Sequence, residues 1–74
     1  MKLRELIEET FNLKEDAQKD DVKLSDLQDW DSMTHMLFIS KIEENFGVEL
    51  TGDEIAEMQT IGEVKKVLTE KEKL

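Results

Sequence analysis

Ahead of three of its apolar stretches this chain places a serine or threonine three residues before a glutamine or glutamate: Ser25 and Gln28, Thr51 and Glu54, Thr60 and Glu63. At that spacing each side chain can accept the other residue's backbone N–H, which satisfies two of the unpaired donors at a helix start. The three pairs are read as helix starts. The composition offers little else to hold a short chain together. Seventy-four residues bury only a modest core. There is no cysteine for a disulfide or a thiolate metal site. One histidine, His35, cannot build a zinc site alone. Helix packing within one domain, residues 1–74, is what remains.

Apolar spacing fills in the helices. Leu3, Leu6, Ile7, Thr10 and Phe11 predict a first helix over residues 2–13, ended by Asn12 and the polar run that follows. Residues 14–31 then form a long connection, pinned to the core by Val22, Leu24, Leu27 and Trp30, with a helical turn opening at Ser25. So long a connection in a small domain is often functional. The second helix runs from Ser32 to Phe46 with a core stripe of Phe38, Ile42 and Phe46, Ile39 beside it, and Gly47 as its stop. A short extended link leads to a brief helix from Thr51 through Met58. A last helix follows from Thr60 through Glu70, with Ile61, Val64, Val67 and Leu68 inward. The expected fold is all-α: a small four-helix bundle of three main helices and one short one, with a long first loop.

The net charge is −9 and lies in one place. Residues 26–63 hold ten acids and one base, Lys41, while the flanks nearly cancel. Such a field repels nucleic acid and anionic membrane and draws basic protein surfaces; an acidic surface also simply keeps a protein soluble. The longest wholly apolar run, Met36 to Ile39, is far too short to span a bilayer. The charged start "MKLRELIEETF" has no apolar leader. A soluble, monomeric, cytoplasmic protein is expected, and the lack of cysteine fits a reducing compartment.

Ser32 sits where this acidic segment meets the second helix. Asp31 before it is a strong N-cap, because its carboxylate can take a first-turn N–H. Ser32 then becomes the first helical residue, with its hydroxyl at the positive end of the helix dipole, where a phosphate ester would be stabilised. The plainer alternative is that Ser32 is itself the cap, or a tolerated polar residue. Nucleophilic catalysis fits poorly: His35 lies one turn on, but nothing marks an orienting partner or an oxyanion hole. His35 is expected as a partly exposed surface residue. A calcium loop fails as well, since "DWDSM" lacks the required glycine.

The stretch "DWDSMTHMLFISKIEENFGVEL" resembles the modification-site helix of acyl carrier proteins. That family shows a D-S-[LM] motif, then an amphipathic helix ending in E-E-x-F-x-[IV]. Here these are Asp31-Ser32-Met33 and Glu43-Glu44-Asn45-Phe46-Gly47-Val48. Downstream, "EIAEMQTIGEVKKVL" is similar to the family's third and fourth helices, with their Thr-[IV]-Gly-x-[VL] pattern. The resemblance implies that Ser32 carries 4′-phosphopantetheine, transferred from coenzyme A by a separate transferase, with Asp31 and Met33 flanking it. It implies a non-catalytic carrier holding acyl groups as thioesters for fatty-acid synthesis or a specialised lipid or secondary-metabolite pathway. Partners would be the phosphopantetheinyl transferase and acyl-transferring or synthase enzymes with basic surfaces. They would meet Met36, Leu37, Glu43, Glu44, Glu49, Asp53, Glu54 and Glu57. A fatty chain would lie near Phe38, Ile42, Phe46, Ile55, Met58 and Ile61.

The chain departs from the family pattern in two ways. Residues 32–42 contain no acid, with Leu37 where Glu is frequent and Thr34 where Asp is frequent. Trp30 stands where smaller residues are common. Leu37, off the Phe38 stripe, is expected to be exposed, whereas Met33 and Met36 suit either core or surface. An aminoacyl carrier, peptidyl or D-alanyl, is the alternative reading, and an unmodified helical interaction module is the third.

Overall fold

Leu3, Leu6, Ile7 and Phe11 are buried along one face of the first helix, α1 (Leu3–Phe11), as the 3.6-residue period requires. The computed structural model describes residues 2–73. After α1 come single 3₁₀ turns at Glu15–Ala17 and Leu24–Asp26, then α2 (Ser32–Phe46), α3 (Gly52–Glu57) and α4 (Ile61–Glu70). Among the described residues there is no strand, only a bridge between Lys23 and Thr60. The protein is a small all-α bundle with a Cα radius of gyration of 11.0 Å.

The expected helix boundaries hold where local chemistry sets them. Asp31 caps α2, and Gly47 ends it in the left-handed region at φ 64°. Both threonine boxes form in full, Thr51 with Glu54 and Thr60 with Glu63. α1 is shorter than the expected 2–13, because Asn12 adopts a left-handed conformation (φ 56°, ψ 38°) that stops the helix. The third expected box does not form. The turn begins at Leu24, one residue early, so Ser25 lies within it and no side chain caps it. The Leu24 N–H donates to the Gln59 carbonyl (2.8 Å), and this long-range bond decides where the turn starts.

The core gathers α1, α2 and α4 around Phe38, Ile42, Ile61, Val64 and Leu68, none with any exposed surface. Phe11 and Phe38 meet edge to face, centroids 5.1 Å apart. Phe46, expected in the α2 stripe, is only half-buried at the helix end. The long connection is tied down along its length. Gln18 is buried, its amide donating to the carbonyls of Arg4 and Leu13, each at 2.9 Å. The Ile61 N–H reaches the Val22 carbonyl (3.1 Å), and the Gly62 N–H the Asp20 carbonyl (2.9 Å). These bonds hold the connection against the junction of α3 and α4 and so fix the approach to Ser32.

Candidate functional site

Asp31 has extended backbone (φ −151°, ψ 177°), and its Oδ1 accepts the Thr34 N–H at 2.7 Å. The His35 N–H donates to the Asp31 carbonyl at 2.9 Å. Ser32 is thus the first residue of α2 rather than its cap. The Thr34 N–H, more than any other group, holds the Asp31 carboxyl below its ordinary pKa, and the Thr34 side chain and Met33 N–H add to the effect. Ser32 is exposed. Among the described residues no side-chain hydrogen bond engages its hydroxyl, which leaves that oxygen free to react. A phosphate ester on it would sit at the helix's positive end, worth about 0.3–1 kcal/mol at an exposed site. The Asp31 carboxylate repels that negative charge, but both groups face water, which screens the repulsion, so the acid beside Ser32 does not bar a phosphate there.

The site's apolar neighbours are on the surface. Met33 is 83% exposed, Met36 54% and Leu37 51%. Their i, i+3, i+4 spacing gathers them on one face of α2 next to Ser32.

The six acids expected to meet partners divide in two. Glu44, Glu49, Asp53 and Glu57 are exposed. Glu43 instead accepts the Leu50 N–H through Oε2 at 2.9 Å. Glu54 accepts the Thr51 N–H at 3.0 Å and pairs with Lys71 at 2.9 Å. The Thr51 backbone bond, then the bond from Lys71, lowers the Glu54 pKa.

The six expected cargo residues also separate. Phe38, Ile42, Met58 and Ile61 have no exposed surface, and Ile55 is half-buried. Phe46 lies near the far end of α2, roughly 20 Å from Ser32 at 1.5 Å per residue. It borders a different groove, of about 980 Å³, with Leu3 and Lys65. On the Ser32 side is a smaller cleft of about 300 Å³, walled by Trp30, His35, Ile55, Ala56 and Met58.

Trp30 and His35 form a pair that spacing did not reveal. The indole Nε1–H donates to His35 Nδ1 at 3.2 Å, and the rings meet edge to face with centroids 6.0 Å apart. Accepting that bond requires the neutral imidazole with its proton on Nε2. Burial lowers the His35 pKa, consistent with the neutral form. His35 is therefore partly exposed, as expected, and also partnered.

No curated protein matches the sequence. A family model described as "phosphopantetheine attachment site" matches residues 2–68, nearly the whole chain. Members of this family carry 4′-phosphopantetheine covalently, and its carrier domains are generally non-catalytic. An exposed, unengaged serine hydroxyl at a helix start suits such a group. The chain belongs to the phosphopantetheine-binding carrier family.

Proposed function

We propose that this chain is a non-catalytic acyl carrier whose arm is attached at Ser32. The observation that carries the reading is the exposed first residue of α2, with its hydroxyl unengaged among the described residues and its helix start fixed by Asp31. When attached, the arm supplies a thiol on which cargo rides as a thioester. The chain's own residues do the rest. Asp31 sets where α2 begins and hence where Ser32 Oγ stands. Met33, Met36 and Leu37 give an apolar contact beside it, and Glu44, Glu49, Asp53 and Glu57 present negative charge to basic transferase and synthase surfaces. Ile55 and Met58 meet an acyl chain first, with Phe38, Ile42, Ile61 and Phe46 deeper or farther along the bundle. The acid-free first half of α2 supports a specialised pathway over general fatty-acid synthesis. A monomer working in the cytoplasm completes the reading.

The test is intact mass after incubation with coenzyme A, magnesium and a broad-specificity transferase. The wild type should gain one phosphopantetheine, and Ser32→Ala should fold and gain none. A wild type that keeps its original mass, or a variant that is still modified, removes Ser32 as the site.

The closed packing of Phe38, Ile42, Met58 and Ile61 favours a second reading, an aminoacyl carrier, because a short polar cargo needs no interior. An octanoyl-loaded form that melts above the unloaded holo form, with NMR shifts at Ile55 and Met58, supports acyl cargo. Equal melting, with shifts confined to the neighbours of Ser32, supports the aminoacyl carrier.

A further inference from the structure

We infer that Trp30, held in place by His35, is a specificity-determining residue that limits this carrier to short acyl cargo. The inference rests on the reading of Ser32 as the attachment site and adds to it the size of what is carried. Trp30 lies two residues before Ser32 and His35 three after, so the bonded pair brackets the point from which cargo would extend. Trp30 is held at both ends: its backbone N–H donates to the Leu27 carbonyl at 3.0 Å, and its indole Nε1–H donates to His35 Nδ1. The cleft it walls is about 300 Å³. At ~30 Å³ for a group the size of a water molecule, that is room for roughly ten such groups. With the carbon, oxygen and sulfur of the thioester and the arm's last two carbons inside, roughly five of those groups are taken, which leaves space for on the order of four further carbons. Beyond the cleft the way is shut, because Met58, Phe38 and Ile61 have no exposed surface. A longer chain must displace the Trp30–His35 pair or remain in water.

The experiment loads the wild type and Trp30→Ala with acyl groups of two to ten carbons from the matching acyl-coenzyme A, confirms loading at Ser32 by mass, and measures thermal midpoints. In the wild type each added carbon should raise the midpoint by at most about 3–6 °C up to roughly four carbons, with a plateau after that. In Trp30→Ala the rise should continue to at least eight. Trp30 is the chain's one tryptophan, so the wild type gives a second readout. Acrylamide quenching of its fluorescence should drop about twofold by four carbons and then stay level. If Trp30→Ala does not fold, this quenching series and Trp30→Phe carry the test. A wild-type midpoint that climbs evenly to ten carbons overturns the inference, as does a loaded protein whose midpoint and quenching ignore chain length. Failure of Ser32 to load at all would remove the carrier reading itself.

Discussion

The Glu43 carboxylate accepts the backbone N–H of Leu50 at 2.9 Å, across the left-handed turn at Gly47. The Glu43 carbonyl also accepts from Gly47 and Val48, the latter at 3.2 Å. One residue thus closes the end of α2 and fastens the segment that leads to α3. Its neighbour Glu44 is exposed. Two adjacent acids of the same motif therefore serve different ends, one holding the fold and the other available to a partner.

Glu43→Ala should lower stability by about 1 kcal/mol, the net value of one such hydrogen bond with partial solvent screening. In a domain of this size that moves the thermal midpoint by about 4–8 °C. Glu44→Ala should stay within about 0.5 kcal/mol of wild type. Thermal unfolding of both variants checks the division, and equal loss in the two would contradict it.

Gly62 is a glycine because of its neighbour. A Cβ placed there would lie 3.0 Å from the Asp20 carbonyl oxygen and 3.1 Å from the Asp20 Cβ. The oxygen is backbone, and it is the acceptor of the Gly62 N–H. Gly62→Ala must push the connection off the α3–α4 junction and should cost about 1–3 kcal/mol. Gly52→Ala is the control: a Cβ there meets nothing within 4 Å, so denaturant unfolding should show it neutral or slightly more stable. Hydrogen exchange at Leu24 and Ile61 should quicken in Gly62→Ala alone.

The Trp30–His35 bond makes the loop before Ser32 sensitive to acid. Burial lowers the His35 pKa from 6.5. The unfolded chain therefore binds this proton first as pH falls, and its uptake favours unfolding. The contribution of neutral His35 is complete above about pH 6.5 and is lost as pH falls toward the lower folded value. The thermal midpoint should drop between pH 7.5 and 5.0, together with a change in Trp30 emission. His35→Gln keeps an acceptor without the titration and should flatten both curves over that range. The lowered Asp31 carboxyl gives a separate step, its contribution present above about pH 3.8 and lost as pH falls further.

Much of the fold was legible because much of it is local. Asp31, Thr51, Thr60 and Gly47 act within four residues of themselves, and the helices they bound lie where those residues place them. Ser32 as the first residue of α2 follows from the same logic. What the sequence left unread depends mostly on how separate segments pack. Ser25 and Gln28 have the right spacing, but the Leu24 N–H is taken by Gln59. Gln18 sits in a polar run yet is buried, since its amide reaches carbonyls fourteen and five residues away. Glu43 and Glu54 match the docking acids in type; the Thr51 box already claimed Glu54, but only the packed structure shows Glu43 spent on Leu50 and Glu54 also on Lys71. Trp30 and His35 are close in sequence, but their bond depends on how the connection returns to α2.

The first half of α2 predicts a mixed docking surface. Charge is supplied by Glu44, Glu49, Asp53 and Glu57, all exposed, and the contact nearest Ser32 is Met33, Met36 and Leu37. Exposed charges are screened beyond about 10 Å at 0.1 M salt, whereas apolar burial is not weakened this way. Affinity for a cognate enzyme should therefore fall with salt and then level off at a residual value. The variant with all four free acids changed to glutamine or asparagine should lose the salt-dependent part and keep the residual. Leu37→Ser should do the reverse, at a cost of about 1–2 kcal/mol in binding, with folding stability within about 0.5 kcal/mol of wild type because half of that side chain already faces water. Titration calorimetry from low to high salt separates the two. An affinity flat across salt would rule out the acidic face, and a Leu37→Ser variant that binds like wild type at high salt would rule out the apolar patch.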